Sequence, residues 1–243
     1  MPVGGKAQLR LIAESAAASH DSADQKNLNG QKLGRKGKVT RARILAAAAE
    51  LLSGDDEDPV SLSAVARRAG LGMTSLYLYF SDFTELLLAL LEPLMAEEYD
   101  NLERLCGARW SDDELELRVR LFLEHWYEFW TSHSKLLHLR NVMSDAGDER
   151  IIRHRLGTGR PFVHLFVRQM DGNPKDSDSH ATQMATQLMT GVERSFTMAT
   201  NKKLPRIVNG FSFEREHYLW PAARLMVMAI RDVRALNVAG SPG

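Results

Sequence analysis

Gly70-Leu71-Gly72 separates two short stretches of apolar-patterned sequence, and this constrains the chain more than any other feature. Glycine carries no Cβ, so a sharp change of direction between two short helices is easiest there. Before the turn a helix is expected from Ser61, with Leu62, Val65, Ala66 and Ala69 facing inward and Arg67 and Arg68 outward. After it comes a helix over about Met73 to Tyr79, too short to exist for packing alone. Upstream, Thr40 to Leu52 is rich in good helix formers, with Thr40 as the expected cap. Ile44, Ala48, Leu51 and Leu52 recur at helical spacing, so one face buries while Arg41 and Arg43 stay wet. The acidic run Asp55-Asp56-Glu57-Asp58 ends that helix. Two short helices joined by a glycine turn and braced by an earlier helix describe a helix-turn-helix, whose last helix enters the DNA major groove.

The residues at these positions also carry a family resemblance. Ala64-Val65-Ala66-Arg67-Arg68-Ala69-Gly70-Leu71, then Leu76-Tyr77 and Tyr79-Phe80, then Asp82 and Glu85-Leu86 resemble the DNA-binding domain of tetracycline-repressor (TetR) family regulators over about Thr40 to Leu90. Gly72 stands where the family often has a capping Ser or Thr, and Phe83 where it often has a Lys near a phosphate. On this reading Thr74, Ser75 and Tyr79 reach the groove, with Tyr77 and the helix N-terminus near phosphates. The plainer alternative is a helical hairpin with surface tyrosines.

Lysine and arginine together number 31, and so do aspartate and glutamate, so bulk charge does not announce nucleic acid. The distribution does. Lys32, Arg35, Lys36, Lys38, Arg41 and Arg43 form a basic run without one acid. Residues 1–34, rich in Gly, Ala, Ser, Asp and Asn, are expected to be a disordered tail, and 35–85 the helix-turn-helix domain with a basic arm. The arm reads either as a solvated linker or as Arg35, Lys36 and Lys38 reaching DNA phosphates or the minor groove, with Arg41 beside them. Acids outnumber bases between Thr40 and Phe83, so counterion release at DNA would need that help. The one cysteine, Cys106, excludes an intramolecular disulfide and fits a reducing cytoplasm. No apolar run reaches the length of a membrane span, and Arg10, Glu14 and His20 break up any signal-peptide core. A cytoplasmic location is expected.

Beyond the helix-turn-helix, residues 86–240 are expected to form a helical ligand-binding and dimerisation domain, which makes the chain all-α. A long helix starts near Asp82, with Pro93 expected to kink or split it. Ser111 has capping-box spacing to Glu114. The helix after it carries Leu117, Leu121, Phe122, Trp126, Phe129, Trp130 and His133 as one stripe. Gly157, Gly159 and Pro161 are expected to break or bend the segment from Glu149 to Met170. Two long helices follow, over about His180–Thr200 and Glu214–Asn237.

Enzyme signatures are absent, since no phosphate-cradling glycine loop follows a strand and no nucleophile–base pair can be assembled. His125 and His133 lie eight residues apart, too far for the four-residue spacing that binds zinc, so neither metal nor cofactor is expected. The aromatic stripe either simply builds the core or lines a pocket formed by Phe122, His125, Trp126, Phe129, Trp130, Met143, Phe166, Met184 and Gln187. Such a pocket suits an apolar or aromatic compound, or a cation held against tryptophan. The resemblance implies a small-molecule cavity in this domain and a homodimer. Its seam would lie on the last two long helices, at Thr190, Gly191, Ala222, Ala223, Val227 and Ile230. The expected function is a dimeric repressor released from a palindromic DNA operator by a small, largely apolar effector. The alternatives are a protein of the same fold governed by a protein partner or by no ligand and, more distantly, a helical-bundle enzyme.

Overall fold

The computed structural model describes residues 33–54, 59–210 and 213–239. Residues 1–32 of the expected tail 1–34, the acidic run 55–58, residues 211–212 and residues 240–243 lie outside the described residues. Ten helices and no strand occur among the described residues, so the chain is all-α. In chain order they are α1 (Arg35–Ser53), α2 (Leu62–Arg68), α3 (Met73–Tyr77), α4 (Phe83–Cys106) and α5 (Leu115–Ser132). Then come α6 (Ser134–Asp145), α7 (Glu149–Gln169), α8 (His180–Ala199), α9 (Leu204–Ile207) and α10 (Arg215–Ala239).

The chain divides into two units, one of residues up to Glu97 with Lys135–Arg155, the other of Glu98–Ser134 with Leu156 onward. In the first, α1 packs on α2 and α2 on α3. Ile44, Leu45, Val65, Leu76, Phe80, Leu86 and Leu90 are buried, which is the apolar spacing of the sequence turned into a core. Leu136, Leu137 and Ile151, from the later segment, are buried as well. Ser61 caps α2 by accepting from the Ala64 N–H at 3.3 Å. Gly70 takes φ +64, a conformation that a residue with a Cβ rarely adopts.

The first helix differs from expectation. It begins at Arg35, not Thr40, so Arg35, Lys36 and Lys38 form its opening turn and are not a flexible arm. Leu33 explains the early start. Its side chain is buried and lies over Gly37, where an added Cβ would meet Leu33 Cδ2 at 3.0 Å. Thr40 therefore sits inside the helix, its hydroxyl donating back to the Lys36 carbonyl at 3.1 Å, and caps nothing.

In the second unit, α10 packs against α5 and α8, and α5 touches α8. Ser179 opens α8 as a cap, accepting from the Thr182 N–H at 3.2 Å. Ser111 does not cap α5, because a turn over Asp112 to Glu114 intervenes. The buried stripe of α5 is also phased differently from expectation. Leu115, Val119, Phe122, Leu123, Trp126, Phe129 and Trp130 face inward, whereas Leu117 and Leu121 are exposed. Neither of the two segments expected to bend or break is interrupted: α4 runs through Pro93, and α7 runs through Gly157, Gly159 and Pro161. The ring of a helical proline presses on the carbonyl four residues back, and for Pro161 that residue is Gly157. With no Cβ to move and open space beside it, Gly157 lets the backbone yield without ending the helix.

Candidate functional site

The short helix α3 is positioned from below. Leu76 and Phe80 are fully buried, which turns Thr74, Ser75, Tyr77 and Leu78 outward and leaves Tyr79 half-exposed. Gly72 stands at its N-cap with no side-chain hydrogen bond, so no local side chain occupies the first amides. The chain leaving α3 is pinned at once. Glu85 accepts from the Ser81 N–H at 2.6 Å and the Ser81 hydroxyl at 2.7 Å, and Asp82 caps α4 through the Glu85 N–H at 2.9 Å. Arg35 and Lys36 are exposed on α1, with Lys38 half-exposed. Arg41 has another occupation: its guanidinium lies over the Phe80 ring, 5.0 Å from the centroid. Burial lowers its pKa, opposed by the Glu85 and Glu92 carboxylates. Arg68 pairs with Glu50 at 2.8 Å, and Arg67 is exposed.

An outward polar face on a five-residue helix, held by a glycine turn against two bracing helices, is the arrangement that reads DNA. Residues 44–90 match the family model of bacterial regulatory proteins of the tetR family. Residues 44–90 are thus a tetR-family DNA-binding domain. The match spans the second half of α1, all of α2 and α3, and the start of α4. Comparison with curated proteins and with solved structures found no match.

The second unit brings together most of the aromatic residues singled out in the sequence. Phe122 stacks on Trp126 at 6.1 Å between centroids, and Trp126 stacks on Phe129 at 5.6 Å. Phe166 meets Phe122 edge-on at 4.8 Å, and Phe162 meets Trp126 in the same way at 4.9 Å. Trp130 is buried beside them in sequence. Two polar groups are buried on α5 and at its C-cap. The Trp126 Nε1 and both ring nitrogens of His133 have no hydrogen-bond partner among the described residues. Burial pushes the His133 pKa down to about 4, so the ring is neutral at pH 7. His125 is half-buried and pairs with the Glu98 carboxylate at 3.0 Å, an interaction that raises its pKa. Glu98 is itself almost fully buried, which the sequence did not reveal, because its neighbour Glu97 reads identically as a wet helix face.

The remaining candidates lie elsewhere. Met143 belongs to α6 in the first unit. Met184 and Gln187 line a groove of about 310 Å³ with Leu188, Gly191, Pro221 and Leu225, between α8 and α10. The expected dimer seam is corrected in part. Ala222, Val227 and Ile230 are buried within the unit, because that side of α10 faces α5 and α8. The outward ridge of α10 is Trp220, Leu225 and Met228, and that of α8 holds Met184, Thr190, Gly191 and Met198. Among the described residues no group of three or more His, Cys, Asp or Glu is placed to hold a metal ion, and no helix is long and apolar enough to cross a membrane.

Proposed function

We propose that this DNA-binding transcriptional regulator is a dimeric, cytoplasmic repressor that leaves a palindromic operator when a small, largely apolar effector enters the aromatic region of α5. Thr74, Ser75 and Tyr79 read base edges and Tyr77 meets phosphate, with Arg35, Lys36 and Lys38 adding charge from α1. Five residues of helix read too few bases for useful specificity, and two copies on two half-sites remedy that.

The observation that carries the effector reading is the pair of unpartnered groups, Trp126 Nε1 and the His133 ring, buried among stacked aromatics. A core built for packing alone has no use for them, since a buried polar atom left unpaired costs roughly 1–3 kcal/mol. A flat compound with one donor and one acceptor would satisfy both and lie against Trp126 and Phe129. To move the protein from almost all DNA-bound to almost all released, it must prefer the released state by about ten-thousandfold. Screening compounds by tryptophan quenching alongside operator release tests this. Compounds that release DNA should quench, and should lose their effect on Trp126→Leu protein. Release that leaves the indoles unperturbed and survives Trp126→Leu moves the effector site off α5. Release by a protein partner and by no compound replaces the reading with its alternative.

A further inference from the structure

Two helix N-termini in the first unit hold each other by the same pair of contacts exchanged. Asp82 precedes α4 and Asp148 precedes α7. One oxygen of each carboxylate caps its own helix. Asp82 Oδ1 accepts from the Glu85 N–H at 2.9 Å, and Asp148 Oδ1 from the Arg150 and Ile151 N–H groups at 3.0 and 3.2 Å. The other oxygen of each receives the second residue of the opposite helix. Thr84 donates its hydroxyl to Asp148 Oδ2 at 2.6 Å, and Arg150 Nη2 donates to Asp82 Oδ2 at 2.9 Å. Thr84 is 5 % exposed, so water cannot readily replace Asp148 as its partner. A third tie runs from Lys135 Nζ to the Leu51 carbonyl at 3.0 Å, near the end of α1.

We propose that this clasp sets the angle at which α3 is presented, making Thr84, Asp148, Asp82 and Arg150 positioning residues for base reading although they lie off the exposed face of α3. Its place in the chain argues for this. Asp82 is two residues past Phe80, the buried anchor of the recognition segment, and Ser81 between them is already tied to Glu85. The backbone from α3 into α4 therefore has little freedom that the clasp does not govern. A tilt of α3 moves base contacts out of hydrogen-bond range, while contacts to the uniform phosphate backbone tolerate it. The signature of the clasp is thus a loss of discrimination and not of DNA binding as such. The inference rests on the DNA-reading role of α3 and is independent of effector and oligomeric state.

The probes are a duplex enriched from a random pool by the wild-type protein and a random-sequence duplex of equal length. Thr84→Val keeps the shape and removes the hydroxyl; affinity for the enriched duplex should fall about tenfold, with the random duplex bound as before. Thr84→Ser, which keeps the hydroxyl, should bind both as wild type does. Arg150→Gln, at an exposed position, should give a smaller loss of the same kind, about threefold. Thr84→Val combined with Asp148→Ala should lose no more discrimination than Asp148→Ala alone. Unchanged discrimination in Thr84→Val, an equal loss in Thr84→Ser, or a parallel loss on both duplexes would overturn the clasp. A wild-type protein that enriches no sequence would overturn it together with the DNA reading.

Discussion

His133 sits in an environment far from that of water. Its ring is 1 % exposed beside Phe129, and its pKa falls from 6.5 to about 4 through burial. The unfolded chain binds a proton between those values and the folded chain does not, so the contribution of His133 to stability is fully present above pH 6.5. It is lost as pH falls towards about 4, and the change amounts to roughly 3 kcal/mol. His154, lowered to about 4 by burial and then by Arg140, adds to the same slope. His125 works the other way: held protonated by Glu98, it stabilises at low pH and loses that contribution as pH rises through its raised pKa. Chemical denaturation at a series of pH values should therefore show stability falling below pH 6.5, and falling less steeply in His133→Leu. Equal slopes in the two proteins would mean that the ring is hydrated in solution. Arg41 shows how far one residue can escape sequence reading. It belongs to a basic run and reads as wet, yet Phe80, thirty-nine positions later, gives its guanidinium a ring to cover.

At the scale of elements, what was legible in the sequence was what local chemistry decides. The Gly70 turn and the inward face of α2 each depend on residues within one turn of each other, whereas the caps expected at Thr40 and Ser111 did not form. Where a distant partner decides, the reading slipped. The early start of α1 across Gly37 came from a nearer contact, that of Leu33, but Leu117 and Leu121 fell outside the α5 stripe because α8 and α10 claim the other side. The same effect moved the expected dimer seam, since a helix with apolar residues on most of its faces does not announce which face is taken internally. Charges at the outward positions, Leu225→Glu with Met228→Glu, should give monomers by sedimentation, with the melting temperature nearly unchanged because both side chains are more than half exposed. A protein that stays dimeric places its seam elsewhere. Val227→Glu is the wrong test of that seam, because it buries a charge inside the unit.

For the whole molecule, the unit that reads DNA is discontinuous in the chain. Its helix-turn-helix ends long before Lys135–Arg155, which supplies buried Leu136, Leu137 and Ile151 and half of the exchanged contacts at Asp82 and Thr84. No local pattern could show this, because α6 carries the same amphipathic signal whichever unit it joins. A fragment ending at Glu97 should accordingly show weak helical signal and no cooperative thermal transition, by circular dichroism. A sharp transition in that fragment would make the later segment dispensable. The discontinuity has a consequence for synthesis. At 5–20 residues per second, the ribosome needs roughly three to twelve seconds after Glu97 to deliver Arg155. Throughout that interval the recognition helix has been made without its brace, and whatever folds of Glu98–Ser134 must do so inside the open loop. The nascent chain thus acquires its grip on DNA late, after the whole of the aromatic helix that we propose to receive the effector has been made.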